Sequence, residues 1–161
     1  FRSGFASAVL RMAQGTDGSM FVGLTNRGWS SLGTASYGLQ RLVWTGKVPF
    51  EIKEMRAQPN GFELVFTKPV DKTSAGDPAS YMMSSYTFLY QSSYGSDEIQ
   101  KQNPAVTSAA VSEDGLSVQL TVSNLRELFV HELTAAGVRS ADDERLLHPF
   151  ACYTLNRIPG R

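Results

Sequence analysis

Two histidines, one cysteine and a few short acidic runs are the side chains of this 161-residue chain whose types could support catalysis or metal binding. Nucleophilic hydrolysis needs a serine on a sharp elbow with an imidazole beside it, and no Gly-x-Ser-x-Gly occurs. His131 shares a strand face with Phe129 and Leu133 and reads as a half-buried structural histidine. His148 precedes Pro149 and reads as an edge residue. A soft metal site could draw on His131, His148, Cys152 and Met83. Yet His148 and Cys152 lie four apart on a strand, which puts them on one face roughly 13 Å from each other. Cys152 is expected to be a small core residue. A single cysteine excludes an intrachain disulfide, a Cys-rich zinc centre, an iron–sulfur cluster and haem attachment through Cys-x-x-Cys-His. Neither Gly-x-Gly-x-x-Gly nor a phosphate-binding Walker loop is present. The acidic runs Asp97-Glu98 and Asp142-Asp143-Glu144 sit in polar connections; calcium could use such oxygens, but no Asp-x-Asp-x-Asp-Gly pattern organises them. The expectation is no catalytic residue, no metal and no cofactor.

Aromatic residues offer a binding chemistry instead. Trp29, Tyr86, Tyr90 and Tyr94 are the candidate binding residues, since tyrosines at even steps along a strand share a face and can stack on a sugar or dock on a neighbouring domain. The alternative is that Tyr86 and Tyr90 line the interior with Phe88. Fifteen Lys and Arg balance fifteen Asp and Glu, so the surplus of positive charge that displaces counterions from nucleic acid is missing. No apolar run reaches the roughly 18 to 20 residues that span a bilayer, so no membrane insertion is expected.

These side chains must be carried by strands, because period-2 alternation dominates. Leu116-Ser-Val-Gln-Leu-Thr-Val122 puts aliphatic residues on one face and polar ones on the other. The Asp114-Gly115 turn ahead of it predicts a hairpin with Ala105 to Val111. A second hairpin is predicted from Glu51 to Phe66 around Pro59-Asn60-Gly61. Asp77-Pro78 opens a helical turn, with an acceptor before a proline at the first helical position. Further strands are read at Tyr86 to Tyr90, Phe129 to Ala135 and Phe150 to Leu155, and Gln91 to Asn103 as a polar contact loop. Turn signals at short spacing over about 110 residues suggest a β-sandwich. Residues 1–46 differ: strands at Ala8 to Gln14, Ser19 to Leu24 and Leu39 to Trp44, around a Gly/Ser-rich stretch, form one sheet unit that cannot cover both its faces. Gly46 and Pro49 mark the boundary with residues 47–161. The start at Phe1, without an initiator Met or a secretory leader, suggests a piece of a longer product.

Phe50-Glu-Ile-Lys-Glu-Met-Arg-Ala-Gln-Pro-Asn-Gly-Phe-Glu-Leu-Val-Phe-Thr-Lys-Pro-Val-Asp71, then Gly76-Asp-Pro-Ala-Ser-Tyr81, Val111-Ser-Glu-Asp-Gly-Leu-Ser-Val118 and His131-Glu-Leu-Thr-Ala-Ala-Gly-Val138, resembles bacterial Ig-like domains of the S-layer SbsA type. The chain departs from that pattern with His131 in place of the usual Tyr. Residues 8 to 46, with Gln14-Gly-Thr-Asp-Gly-Ser-Met-Phe-Val22 and Gly38-Leu-Gln-Arg-Leu-Val-Trp-Thr-Gly46, are similar to the closing blade of bacterial sorbosone or glucose dehydrogenase-like β-propellers. The arrangement of blade and Ig-like module is similar to large exported haem- and propeller-containing dehydrogenase-like proteins of planctomycete-type bacteria. The resemblance implies an Ig-like or fibronectin-like antiparallel sandwich behind a propeller-blade-like sheet, in a periplasmic or extracellular protein. It implies a noncatalytic accessory module that docks on the remainder of a larger polypeptide. A carbohydrate- or cell-surface-binding module using exposed aromatics is the competing reading.

Overall fold

A computed structural model describes residues 3–27 and 33–160. The chain divides into two compact units, 1–47 and 48–161.

In the first unit β1 (Ala8–Gln14), β2 (Met20–Thr25) and β3 (Tyr37–Leu42) form an antiparallel meander. The β1–β2 turn is closed by Gly15 N donating to Ser19 O at 2.7 Å, and Gly18 supplies the φ of +79° that the reversal needs. Asp17 accepts from both the backbone and the hydroxyl of Ser19, and these bonds, with the Arg41 guanidinium beside it, lower its carboxyl to about 2. One face of β2 buries Val22 and Leu24; the other, with Phe21, Leu39 and Tyr37, is exposed.

The second unit is a sandwich of two four-stranded antiparallel sheets. Its strands are β4 (Ile52–Gln58), β5 (Gly61–Phe66), β6 (Met82–Phe88), β7 (Glu98–Gln102), β8 (Val106–Val111), β9 (Ser117–Val122), β10 (Phe129–Thr134) and β11 (Phe150–Leu155). One sheet has the order β4-β5-β9-β8 and the other β11-β10-β6-β7, so the chain changes sheets after β5, β7 and β9. The core between them follows the alternation: Phe62, Leu64 and Phe66 from β5, Val118, Leu120 and Val122 around β9, Met83 from β6 and Leu133 from β10. Each such buried large aliphatic or aromatic side chain contributes roughly 2 kcal/mol, and Phe50, Val70, Tyr81, Val138 and Leu146 extend the same core.

Both predicted hairpins form. In β4–β5 the two-residue turn Pro59-Asn60 sets Gln58 opposite Gly61. Gly61 is required there because a Cβ would lie 2.0 Å from Leu120 O. In β8–β9 Gly115 takes φ +70°, while Asp114 accepts from Ser112 Oγ and Leu116 N and is held below the usual carboxylate range by those bonds. The β5-to-β6 crossover is a short helix α1 (Lys72–Gly76), capped by Asp71, followed by a 3₁₀ turn (Pro78–Ser80) capped by Asp77, whose carboxylate accepts from Ala79 N at 2.9 Å. Tyr81 closes this segment by donating to Ala75 O at 2.7 Å.

The edge strands β4 and β11 lie side by side in opposite sheets. Leu147 N donates to Phe50 O at one end of this pair, and Gly160 lies by Pro59 at the other, so the two strands run in the same direction.

Two sequence expectations are corrected. The segment Gln91 to Asn103 is not wholly loop, since Glu98–Gln102 pairs with β6 as an edge strand. Cys152 is not a core residue: Tyr153 and Leu155 turn inward, which turns Phe150, Cys152 and Thr154 outward.

Candidate functional site

The outer face of the β11-β10-β6-β7 sheet holds a group of interacting polar side chains that spans three strands. Register puts Glu132 of β10 between Cys152 of β11 and Ser84 of β6. Its carboxylate accepts from Tyr86 Oη at 2.7 Å and from Ser84 Oγ at 3.4 Å, and Cys152 Sγ lies 3.9 Å away. Phe88 meets the Tyr86 ring edge-on at 5.4 Å, and Lys101, paired with Glu98 at 2.6 Å, sits 5.5 Å from the same ring. The hydrogen bond to Glu132, with burial second, raises the Tyr86 phenol far above its ordinary range. Burial first, then the Glu132 charge, pushes the Cys152 thiol up. Both groups are therefore kept protonated, as hydrogen-bond donors and not as nucleophiles.

A shallow groove of about 510 Å³ lies beside this group, lined by Met82, Ser84, Asn103, Pro104, Val106 and Thr134 among others. It contains neither histidine. His131 is fully buried, 5.4 Å from the Phe62 ring, and its Nδ1–H donates to Phe129 O at 3.2 Å. Burial, which outweighs that bond, lowers its pKa, and the nearby Arg126 charge adds to the effect. His148 is exposed and bonded to Glu51 at 2.6 Å. One imidazole is in the interior and the other is at an edge.

The candidate aromatics are dispersed. Tyr86 is 6% exposed and lies on the outer face with Phe88, not in the interior as the alternative reading had it. Tyr90 and Tyr94 are 101% and 107% exposed, on a loop after β6 held by Leu89 N donating to Ser96 Oγ and Gln91 Nε2 to Gly95 O. Trp29 lies outside the described residues. Of the acidic runs, Glu98 pairs with Lys101 and Glu144 with Lys68. Among the described residues no group of three or more His, Cys, Asp or Glu side chains is placed to hold a metal ion, and no helix is long and apolar enough to cross a membrane.

Sequence reasoning missed one structural centre, Arg126. Its guanidinium stacks 3.8 Å from the Phe129 ring and donates to Ser85 O at 2.6 Å and Gln100 O at 2.9 Å, tying the β9–β10 connection to β6 and β7. An isolated Arg after Asn124-Leu125 carries no pattern that could have announced this.

The second unit is thus a β-sandwich domain, and the chain as a whole is all-β. Its fold is similar to solved parts of a bacterial S-layer protein. The N-terminal part of SbsC matches with a TM-score of 0.52 and 19% identity over 68% of this chain and 24% of that one. SbsC domains 1–6 match with a TM-score of 0.51 and 20% identity over 68% of this chain and 14% of that one. The chain therefore spans a quarter or less of the proteins it matches. No family model and no curated protein matches it.

Proposed function

We propose that this chain is a noncatalytic structural module of a larger exported protein, its sandwich serving to dock or space neighbouring domains. The observation that carries this reading is the fold itself, which in SbsC occupies a small share of a long surface-layer protein. The chemistry of the outer face agrees, because its acid, phenol and thiol satisfy one another. On this reading residues 1–46 are the last blade of a propeller of the dehydrogenase-like kind, residues 47–161 are an Ig-like module, and any oxidoreductase chemistry belongs to the parent. The test is an immunoblot of fractionated producer cells with antibody to the sandwich. The expected result is a band far above 17.6 kDa in the exported fraction. A 17.6 kDa band in the cytosol would refute it.

Full exposure of Tyr90 and Tyr94 favours a second reading, binding of carbohydrate through their rings. Titration with cell-envelope polysaccharide should then shift their ring resonances, and Tyr90→Ala with Tyr94→Ala should abolish binding. Unmoved resonances at millimolar sugar would dismiss this reading.

A further inference from the structure

The sandwich has four edge strands, and they are not equally protected. β4 bulges between Ile52 and Glu54 and carries Lys53, Glu54 and Arg56. β7 bulges at Gln100, whose φ is +53°, and carries Glu98 and Lys101. β8 bulges between Val106 and Ser108, and α1 and the 3₁₀ turn pack against it. Bulges, charges and covering segments are the devices that keep a sheet edge from pairing with another chain. β11, Phe150-Ala-Cys-Tyr-Thr-Leu155, has β4 of the other sheet beside it, but among the described residues no backbone hydrogen bond joins the two strands, and β11 has no bulge, no charge, no proline and no glycine.

The direction of its backbone groups can be worked out. Ala135 N donates to Pro149 O, which makes Ala135 and Pro149 a hydrogen-bonded pair. Antiparallel ladders alternate, so Ala151, Tyr153 and Leu155 also turn their N–H and C=O toward β10. Phe150, Cys152 and Thr154 turn theirs away from the sheet, and none of these groups has a hydrogen-bond partner among the described residues.

We propose that β11 pairs antiparallel with β11 of a second copy of this chain about a two-fold axis at Cys152, joining two sheets into one continuous eight-stranded sheet. What selects a second copy is self-complementarity. Three residues face outward, so a two-fold axis at the middle one sets Phe150 opposite the other copy's Thr154 and Cys152 opposite Cys152, and every outward N–H and C=O meets a mate. An uncharged strand brings no like charges together at the axis. The nearest carboxylate, Glu132, lies one strand in, so its two copies stand three strand spacings apart, roughly 14 Å, beyond the screening length at physiological salt. Phe150, 53% exposed, gains cover from Thr154 of the other copy. One six-residue strand buries less than a standard interface, so the association is weak and reversible. This inference does not depend on the dehydrogenase-like parent or on carbohydrate binding.

The test uses the whole 161-residue chain with a reductant present, by sedimentation equilibrium from about 10 μM to about 1 mM and amide exchange at both ends of that range. Concentration-dependent dimerisation is expected, with slowed exchange at Phe150, Cys152 and Thr154 while Ala151, Tyr153 and Leu155 are protected throughout. Thr154→Pro removes an outward donor and leaves the β10 ladder intact, and Cys152→Lys adds the charge that the other edges carry. Both variants should be folded monomers at 1 mM. A wild-type monomer at 1 mM overturns the proposal, as does a dimer that survives both substitutions or leaves the three outward amides exchanging freely.

Discussion

Acidification should weaken the sandwich through one side chain, His131. The imidazole is 0% exposed, packed on Phe62, with Nδ1–H committed to Phe129 O and Arg126 nearby as a second positive charge. Its pKa in the fold is therefore below the ordinary histidine value, whereas in the unfolded chain it stays near 6.5. The unfolded state takes the proton first, so this contribution to stability is complete above about pH 6.5 and is lost as pH falls toward the folded-state value. The unfolded chain's titration near 6.5 sets the ceiling on this loss, at most about 2 kcal/mol between pH 7.5 and pH 5. Both tryptophans, Trp29 and Trp44, precede residue 48, so the sandwich should be followed by near-ultraviolet circular dichroism of its tyrosines in urea. A His148→Gln background removes the only other histidine. The urea midpoint should fall steadily between pH 7 and 5, and His131→Phe should flatten that dependence. An unchanged slope in His131→Phe, or a wild-type midpoint independent of pH in this window, would refute the reasoning.

Two further outcomes follow from the packing. Gly61→Ala would drive a Cβ to 2.0 Å from Leu120 O, a backbone atom that cannot move without breaking the β5–β9 ladder, so urea melts should show a loss of more than about 2 kcal/mol. Arg126→Met keeps much of the stacking on Phe129 but removes the donors to Ser85 O and Gln100 O, and should cost about 2 kcal/mol, with amide exchange rising first in β7.

The elements most legible in the sequence were those whose turn chemistry is local. Asp114-Gly115 and Pro59-Asn60-Gly61 announce their hairpins because the turn residues must adopt or permit the reversal whatever surrounds them. Asp77-Pro78 announces its helical turn for the same reason. β7 was hidden because an edge strand with only Ile99 half-buried shows no alternation of apolar residues. Cys152 was misplaced because its neighbours are apolar or aromatic on both sides, so the phase of β11 is decided only by which of them meets the core. The candidate site was less legible still. Glu132 gathers Ser84, Tyr86 and Cys152 across three strands, and that meeting depends on register, which no single segment encodes.

The shared direction of β4 and β11 has a mechanical consequence. The chain enters the sandwich near Phe50 at one pole and leaves past Leu155 at the other. Tension applied through the two ends pulls β4 and β11 along their own axes in opposite senses. The β4–β5 and β10–β11 ladders then carry load in shear, with their hydrogen bonds strained together and not peeled one at a time. A module strung between neighbours by its ends is thus loaded along its strongest direction, so rupture must be abrupt.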